Sequence, residues 1–107
     1  MIYELRIYKA LPGKLGILNE RLEKYWVNLF QKHGIKVIGF WSPVIGKSNT
    51  LYYMLGYDSL AHREETWKSL KSDPEVQELR KRLDSEDIVT EYIDNIILAP
   101  TPYSPMK

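Results

Sequence analysis

Three polar side chains near the start of the chain have the types and spacing of a small-molecule site. Residues 1–9 alternate like a β-strand, so Glu4, Arg6 and Tyr8 share one face. The opposite face carries apolar and aromatic side chains: Tyr3, Leu5 and Ile7. Arg6 can orient an anionic or carbonyl group of a ligand, with Tyr8 as donor or proton relay. The alternative is an ion pair between Glu4 and Arg6 that sets strand register.

His33 is the third candidate catalytic residue. Imidazole titrates near neutral pH, so His33 could serve as a general base at the mouth of a pocket. It could equally be a helix C-terminal residue favoured by the helix dipole. Haem binding through His33 is a further possibility. The chain has no cysteine and no metal-ligand spacing around its two histidines, so we expect neither a metal site nor a cofactor.

Eight tyrosines and three tryptophans are a heavy aromatic load for 107 residues. Four aromatic residues are candidates to line a ligand pocket with Glu4 and Arg6: Trp41, Tyr53, Tyr57 and Trp67. Aromatic residues at strand and helix periods also form ordinary protein cores, so core packing is the alternative for each of them.

Charge and hydropathy limit the function classes. Fifteen basic and fourteen acidic residues give a net charge of +1, which does not favour nucleic acid or an anionic membrane surface as a partner. No run approaches the ~20 apolar residues that span a bilayer. The absence of cysteine and of a secretory signal pattern at the start of the sequence predicts a cytoplasmic protein.

Hydrophobic periodicity predicts the element order β-α-β-β-α(α)-β. Strands are expected at 1–9, 35–41, 51–57 and 88–98, and helices at 15–32, from 60, and again from Pro74. This order is typical of an α+β, ferredoxin-like fold with a four-stranded antiparallel sheet and helices on one face. We expect a single domain over 1–99 and an extended, proline-rich tail over 100–107.

The sheet is too apolar on both faces for one chain in water. In the second strand, simple alternation places Val37 and Trp41 on one face and Ile38 and Phe40 on the other. So large an apolar surface predicts a two-fold homodimer that pairs sheet to sheet and encloses a barrel-like interior. The face bearing Arg6 is expected to line that interior.

The chain resembles the NIPSNAP family within the dimeric α+β barrel group. Matching stretches lie at 3–8 with 12–14, at 33–34 with 38–41, and at 57–63 with 73–75. Family members often carry a histidine and a tryptophan on the third strand where this chain has Tyr53 and Leu55, which bears against a reaction that needs that histidine. The resemblance implies a dimeric barrel but no agreed reaction. The barrel relatives include cofactor-independent monooxygenases, dehalogenase-like and isomerase-like enzymes, and haem-handling proteins.

Two functions therefore remain. One is a barrel cavity that binds a small, largely apolar organic ligand, with isomerisation or cofactor-independent oxygenation as suitable chemistry. The other is a non-enzymatic dimeric scaffold or ligand carrier. A cavity of a few hundred Å³ that reaches Arg6 would favour the first, and a solidly packed interior the second.

Overall fold

The computed structural model describes all residues from 1 to 107. The strands are β1 Ile2–Ala10, β2 Lys36–Trp41, β3 Thr50–Tyr57 and β4 Thr90–Leu98. The helices are α1 Leu15–Arg21, α2 Val27–Lys32, α3 Leu60–Ser72 and α4 Pro74–Glu86. All neighbouring strands are antiparallel, in the order β2-β3-β1-β4. The ferredoxin-like α+β prediction is confirmed.

The first helical region is continuous but contains a π-helical turn. The turn, Leu22–Trp26, joins α1 to α2, where periodicity alone predicts one regular helix. In an α-helix, residues four apart advance by about 40° around the axis, so such positions drift off a common line. The wider π turn reduces this drift, and Leu18, Leu22, Trp26 and Phe30 consequently all reach the same space under the sheet.

Capping residues define the second helical pair. The Ser59 hydroxyl accepts a hydrogen bond from the backbone N–H of His62 and begins α3. Asp73 does the same for α4 by accepting from Glu75, with Pro74 in the first turn. Both helices begin where the sequence predicts them.

The core lies between the helices and one face of the sheet. Opposite residues of antiparallel strands share a face, so the register places Arg6 in one row with Tyr53 and Asn95. Tyr53 is fully buried and stacks against Phe30 of α2 at a centroid distance of 6.1 Å. The face that carries Arg6 is therefore the one the helices cover.

A β-bulge at Ile38 overturns the predicted faces of β2. Val37 pairs with Leu55, but the next pair is Gly39 with Met54, so Ile38 is an extra residue. Val37 and Phe40 therefore share the helix-covered face, and Trp41 lies on the opposite one. Simple alternation could not detect the inserted residue.

The other face of the sheet, the open face, is apolar and carries no helix, although the end of the tail reaches it at Tyr3. Its most exposed apolar members are Trp41 at 51 %, Tyr92 at 47 %, Ile96 at 48 % and Leu98 at 41 %.

The C-terminal tail was expected to be extended, but it turns where the Ser104 N–H donates to the carbonyl of Thr101. The last backbone oxygen of the tail accepts a hydrogen bond from the Tyr3 hydroxyl at 2.7 Å. No helix is long and apolar enough to cross a membrane.

Candidate functional site

A cavity of about 460 Å³ lies between the helices and the helix-covered face of the sheet. Arg6 and Tyr8 of β1 line it, together with side chains of every helix. The cavity thus lies within one chain. The prediction that Arg6 lines a space between two sheets is wrong, because its face packs against the chain's own helices.

Arg6 is held by aromatic rings and by three hydrogen bonds. Its Nε donates to the Tyr53 hydroxyl at 2.9 Å, Nη1 to Glu4 at 2.9 Å and Nη2 to the Tyr8 hydroxyl at 3.2 Å. The guanidinium carbon lies 4.9 Å from the centre of the Trp67 ring, within cation–π range. Since a guanidinium has five N–H groups, one N–H on each terminal nitrogen remains without a protein acceptor.

Tyr8 offers a third donor to the cavity. Tyr53 is fully buried, and its only hydroxyl acceptor is the Tyr8 oxygen at 2.9 Å. Tyr53 therefore donates to Tyr8, whose oxygen also accepts from Arg6. With its oxygen accepting twice, Tyr8 keeps its own proton free. Two N–H groups and one O–H group are thus available to a ligand oxygen.

A fully buried carboxylate, Glu4, holds this arrangement together. Arg63 of α3 binds it with two nitrogens, at 3.0 and 3.2 Å, and Arg6 binds it with one. The Tyr57 hydroxyl donates to it at 2.8 Å, and the Asn95 amide at 2.9 Å. The indole N–H of Trp67 in turn donates to Tyr57 at 2.7 Å. Three strands and one helix therefore meet at a single side chain.

The surroundings of Glu4 keep it ionised. Burial by itself would raise the pKa of Glu4, but hydrogen bonds from Arg63, Asn95 and Tyr57, with the charge of Arg6, lower it to about 2. The pKa of Tyr57 is raised, first by burial and also by its bond to the Glu4 carboxylate. Burial likewise raises the pKa of Tyr53 well above its usual value. These two phenols therefore stay protonated and act as donors.

Apolar side chains form half of the remaining wall, and the other half consists of charged side chains and Thr90. Leu18, Leu22, Trp26 and Phe30 face the cavity from the first helical region, as the π turn allows. Leu83, Val89 and Ile93 complete the wall from α4 and the region of β4. The site therefore joins a stretch of apolar wall to a small set of convergent donors, a combination typical of ligand pockets.

The predicted pocket residues separate into three groups. Arg6, Tyr8 and Trp67 line the cavity. Glu4, Tyr53 and Tyr57 stand behind them as supports and do not reach the cavity surface. Trp41 lies on the open face because of the bulge in β2 and has no part in this site.

His33 is not brought to the cavity. Its Nδ1 lies 2.7 Å from the Ser69 hydroxyl and its Nε2 2.8 Å from Asp73, so it links the end of α2 to the corner between α3 and α4. Both ring nitrogens are engaged, which leaves neither free as a haem ligand. The hydrogen bond from His33 is the main cause of the lowered pKa of Asp73, about 2. No group of three His, Cys, Asp or Glu side chains is arranged to hold a metal ion.

Three residues of the site were not predicted from the sequence. Arg63 lies in a stretch that resembles the family, but nothing local shows that it reaches Glu4. Asn95 is a polar residue within an apolar strand, and no sequence pattern indicates that the register places it beside Arg6. The spacing of Trp26 is that of an ordinary apolar residue on the buried side of a helix. In the structure it lines the cavity, and the guanidinium carbon of Arg80 lies 5.3 Å from the centre of its ring.

The fold and site together define a ferredoxin-like α+β domain with a donor-lined internal cavity. The NIPSNAP family model matches residues 3–105, and the chain belongs to the NIPSNAP family. A NIPSNAP family protein from Agrobacterium tumefaciens superposes with a TM-score of 0.86 at 30% identity, over 99% of this chain and 98% of that chain. A putative antibiotic biosynthesis monooxygenase from Deinococcus radiodurans shares the fold alone, with a TM-score of 0.58 at 11% identity, over 100% of this chain and 99% of that chain.

Longer relatives match part of their length. Human Protein NipSnap homolog 3A is 37% identical over 79 residues, which cover 73% of this chain and 31% of that protein. Human Protein NipSnap homolog 3B is 34% identical over 77 residues, which cover 71% and 30%. The matched region therefore spans about a third of the length of these curated relatives.

The lowered pKa of Glu4 predicts acid sensitivity. The ordinary pKa of a glutamate is 4.5. Between this pH and about pH 2, Glu4 is largely protonated in the unfolded chain but ionised in the folded chain. The free energy of unfolding should therefore fall as pH drops through this window, with about 3 kcal/mol due to Glu4. Urea unfolding at a series of pH values should show a flatter pH dependence in Glu4→Gln than in the wild type.

Glu20→Gln is the matched control. Its carboxylate is 66% exposed and lies 3.7 Å from Lys24, so removing its charge should leave the curve parallel to the wild type. Parallel curves for Glu4→Gln and the wild type would contradict the role of the buried carboxylate.

Proposed function

We propose that this protein binds a small, largely apolar organic molecule in the cavity and holds its polar end with Arg6 and Tyr8. The observation that supports this proposal is the meeting of three unused donors with a partly apolar cavity of about 460 Å³. At the ~30 Å³ that a water-sized group occupies in a liquid, the chamber accommodates roughly fifteen such groups. This size suits a small organic ligand.

The cavity also weighs against a purely structural role. A scaffold module would be expected to fill this space with side chains, since protein interiors are close-packed. Here Trp67 and Trp26 border an unfilled volume, and Arg6 and Tyr8 line it as well. A non-enzymatic ligand carrier remains compatible with the same geometry, since binding alone needs no further group.

Carbonyl polarisation is the chemistry that the donor set supports best. The Arg6 guanidinium and the Tyr8 hydroxyl can both donate to one ligand oxygen and stabilise negative charge that develops on it. Isomerisations and cofactor-independent oxygenations that pass through an enolate develop negative charge on an oxygen of this kind, and the proton that leaves carbon must go to a base outside this donor set. We propose that any reaction in this cavity is of that class.

We further propose that two copies pair through their open faces as a two-fold homodimer. The supporting observation is the row of large apolar side chains there, including Trp41, Ile96 and Leu98. Paired in this way, the two cavities remain separate, one in each chain. The cytoplasmic location stays a prediction.

Ile93→Trp should block the cavity. Ile93 lies opposite Tyr8 on β4, lines the cavity and is 44 % exposed, so a larger ring there can cover Tyr8 without crowding a closed core. Isothermal titration with 2-naphthamide should show saturable binding to the wild type and binding at least about tenfold weaker to the variant. Ile97→Trp is the control, four residues further along β4 on the same face but outside the cavity. Equal affinity in both variants would place the binding elsewhere.

Tyr8→Phe tests carbonyl polarisation. Infrared difference spectra of 2-acetonaphthone should show its carbonyl band at lower wavenumber when bound to the wild type than in water, because hydrogen bonds from Arg6 and Tyr8 weaken the C=O bond. Loss of the Tyr8 proton donor should return part of this shift. A bound carbonyl band at or above its position in water would contradict the proposed chemistry.

Ile96→Lys should break the homodimer. Ile96 is 48 % exposed on the open face, so burying a lysine charge against a second sheet would be strongly unfavourable. Light scattering at low micromolar concentration should give a dimer for the wild type and a monomer for the variant. Ile45→Lys, at a position 95 % exposed between β2 and β3, should remain dimeric. A monomeric wild type would remove this part of the proposal.

A further inference from the structure

The charge balance around Arg6 narrows the ligand class, and we infer that the cavity takes a carboxylate with an apolar body. This inference rests on the proposed function and goes beyond it, since a neutral carbonyl compound would satisfy the proposal equally. Its basis is a cluster at the cavity, the buried Glu4 with the partly buried Arg6 and Arg63, that carries two positive charges and one negative charge.

Arg63 takes most of the negative charge of Glu4. Two nitrogens of Arg63 grip the two carboxylate oxygens, whereas Arg6 reaches Glu4 with one nitrogen only. Consistent with this, Arg63 is the strongest of the hydrogen-bonding partners that lower the pKa of Glu4. Arg6, whose side chain is 13 % exposed and borders the cavity, is thus left with an incompletely balanced charge.

No acid of this chain supplies the missing charge inside the cavity. Glu4 does not reach the cavity surface. Glu64 pairs with Arg63 at 3.0 Å, but it is 74 % exposed, and water screens such a pair strongly. Asp84 also borders the cavity from an exposed position. A ligand anion beside Arg6, whose side chain is largely shielded from water, would complete the balance.

The unused hydrogen-bonding groups beside Arg6 are donors. Its two free N–H groups and the Tyr8 proton need acceptors, and a carboxylate is an acceptor at both of its oxygens. A primary amide presents one oxygen, and its NH₂ group would face further donors. The geometry therefore discriminates between two groups of nearly equal size and shape.

Rim charges alone do not account for this selectivity. Lys71 and Arg80 also border the cavity, but both are exposed, and Arg80 is stacked on Trp26. Exposed charges speed the approach of an anion more than they hold it, and salt screens them. The preference for a carboxylate should therefore depend on the cluster around Glu4.

The test compares 2-naphthoate with 2-naphthamide by isothermal titration at physiological ionic strength. The wild type should bind the carboxylate at least about tenfold more tightly than the amide. Arg63→Gln leaves Glu4 to balance Arg6, so the affinity ratio should fall towards one. Glu4→Gln combined with Arg63→Gln restores the net positive charge and should restore the ratio.

Two further variants separate charge from shape and from the rim. Arg63→Lys keeps the charge and should keep most of the preference, as should Lys71→Gln with Arg80→Gln. Circular dichroism checks folding. Should Arg63→Gln not fold, Glu4→Gln alone carries the test, because removing the negative charge should raise the affinity ratio above that of the wild type.

The possible outcomes distinguish the two proposals. Equal affinities for both probes in the wild type would overturn the carboxylate inference and leave the proposed function intact. Loss of the preference in the rim variant, with Arg63→Gln unchanged, would overturn the role of the cluster around Glu4. Failure of both probes to bind would overturn the proposed function itself.

Discussion

The buried carboxylate of Glu4 is the constraint on which the rest of the structure depends. A charge without contact with water is tolerated only if it is fully paired, and Glu4 meets that condition with donors from three strands and one helix. Arg63 is the only one of these donors that comes from outside the sheet. The carboxylate therefore fixes where α3 crosses the sheet, and this crossing sets the depth of the cavity.

The same carboxylate positions the Arg6 guanidinium at the cavity. Glu4 binds Arg6 through a single nitrogen, so other N–H groups of the guanidinium remain without an acceptor. The rings of Tyr53 and Trp67 hold the guanidinium in place. The anchoring costs no reorganisation when a ligand arrives, which is the physical advantage of a preorganised site. In the proposed complex, Glu4 does not touch the ligand but positions Arg6, which does.

The sequence predicted the fold correctly. Periodicity and capping signals identified every strand and helix in the right order, and residues 4, 6 and 8 were rightly placed on one face. Two local irregularities of the backbone were not predicted. The bulge at Ile38 moved Trp41 to the open face, and the π turn brought Trp26 to the cavity. Each changes the backbone period by a single residue, which no pattern of apolar side chains reports.

What the sequence determined by itself was local: which residues alternate, where helices begin, and that both faces of the sheet are apolar. That last property is why it could not decide which face the helices cover. When both faces are apolar, hydrophobicity no longer distinguishes inside from outside, and the choice falls to long-range contacts such as that of Arg63 with Glu4. Those contacts join residues 59 positions apart, so only the tertiary structure turned a polar stripe on one strand into the wall of a chamber.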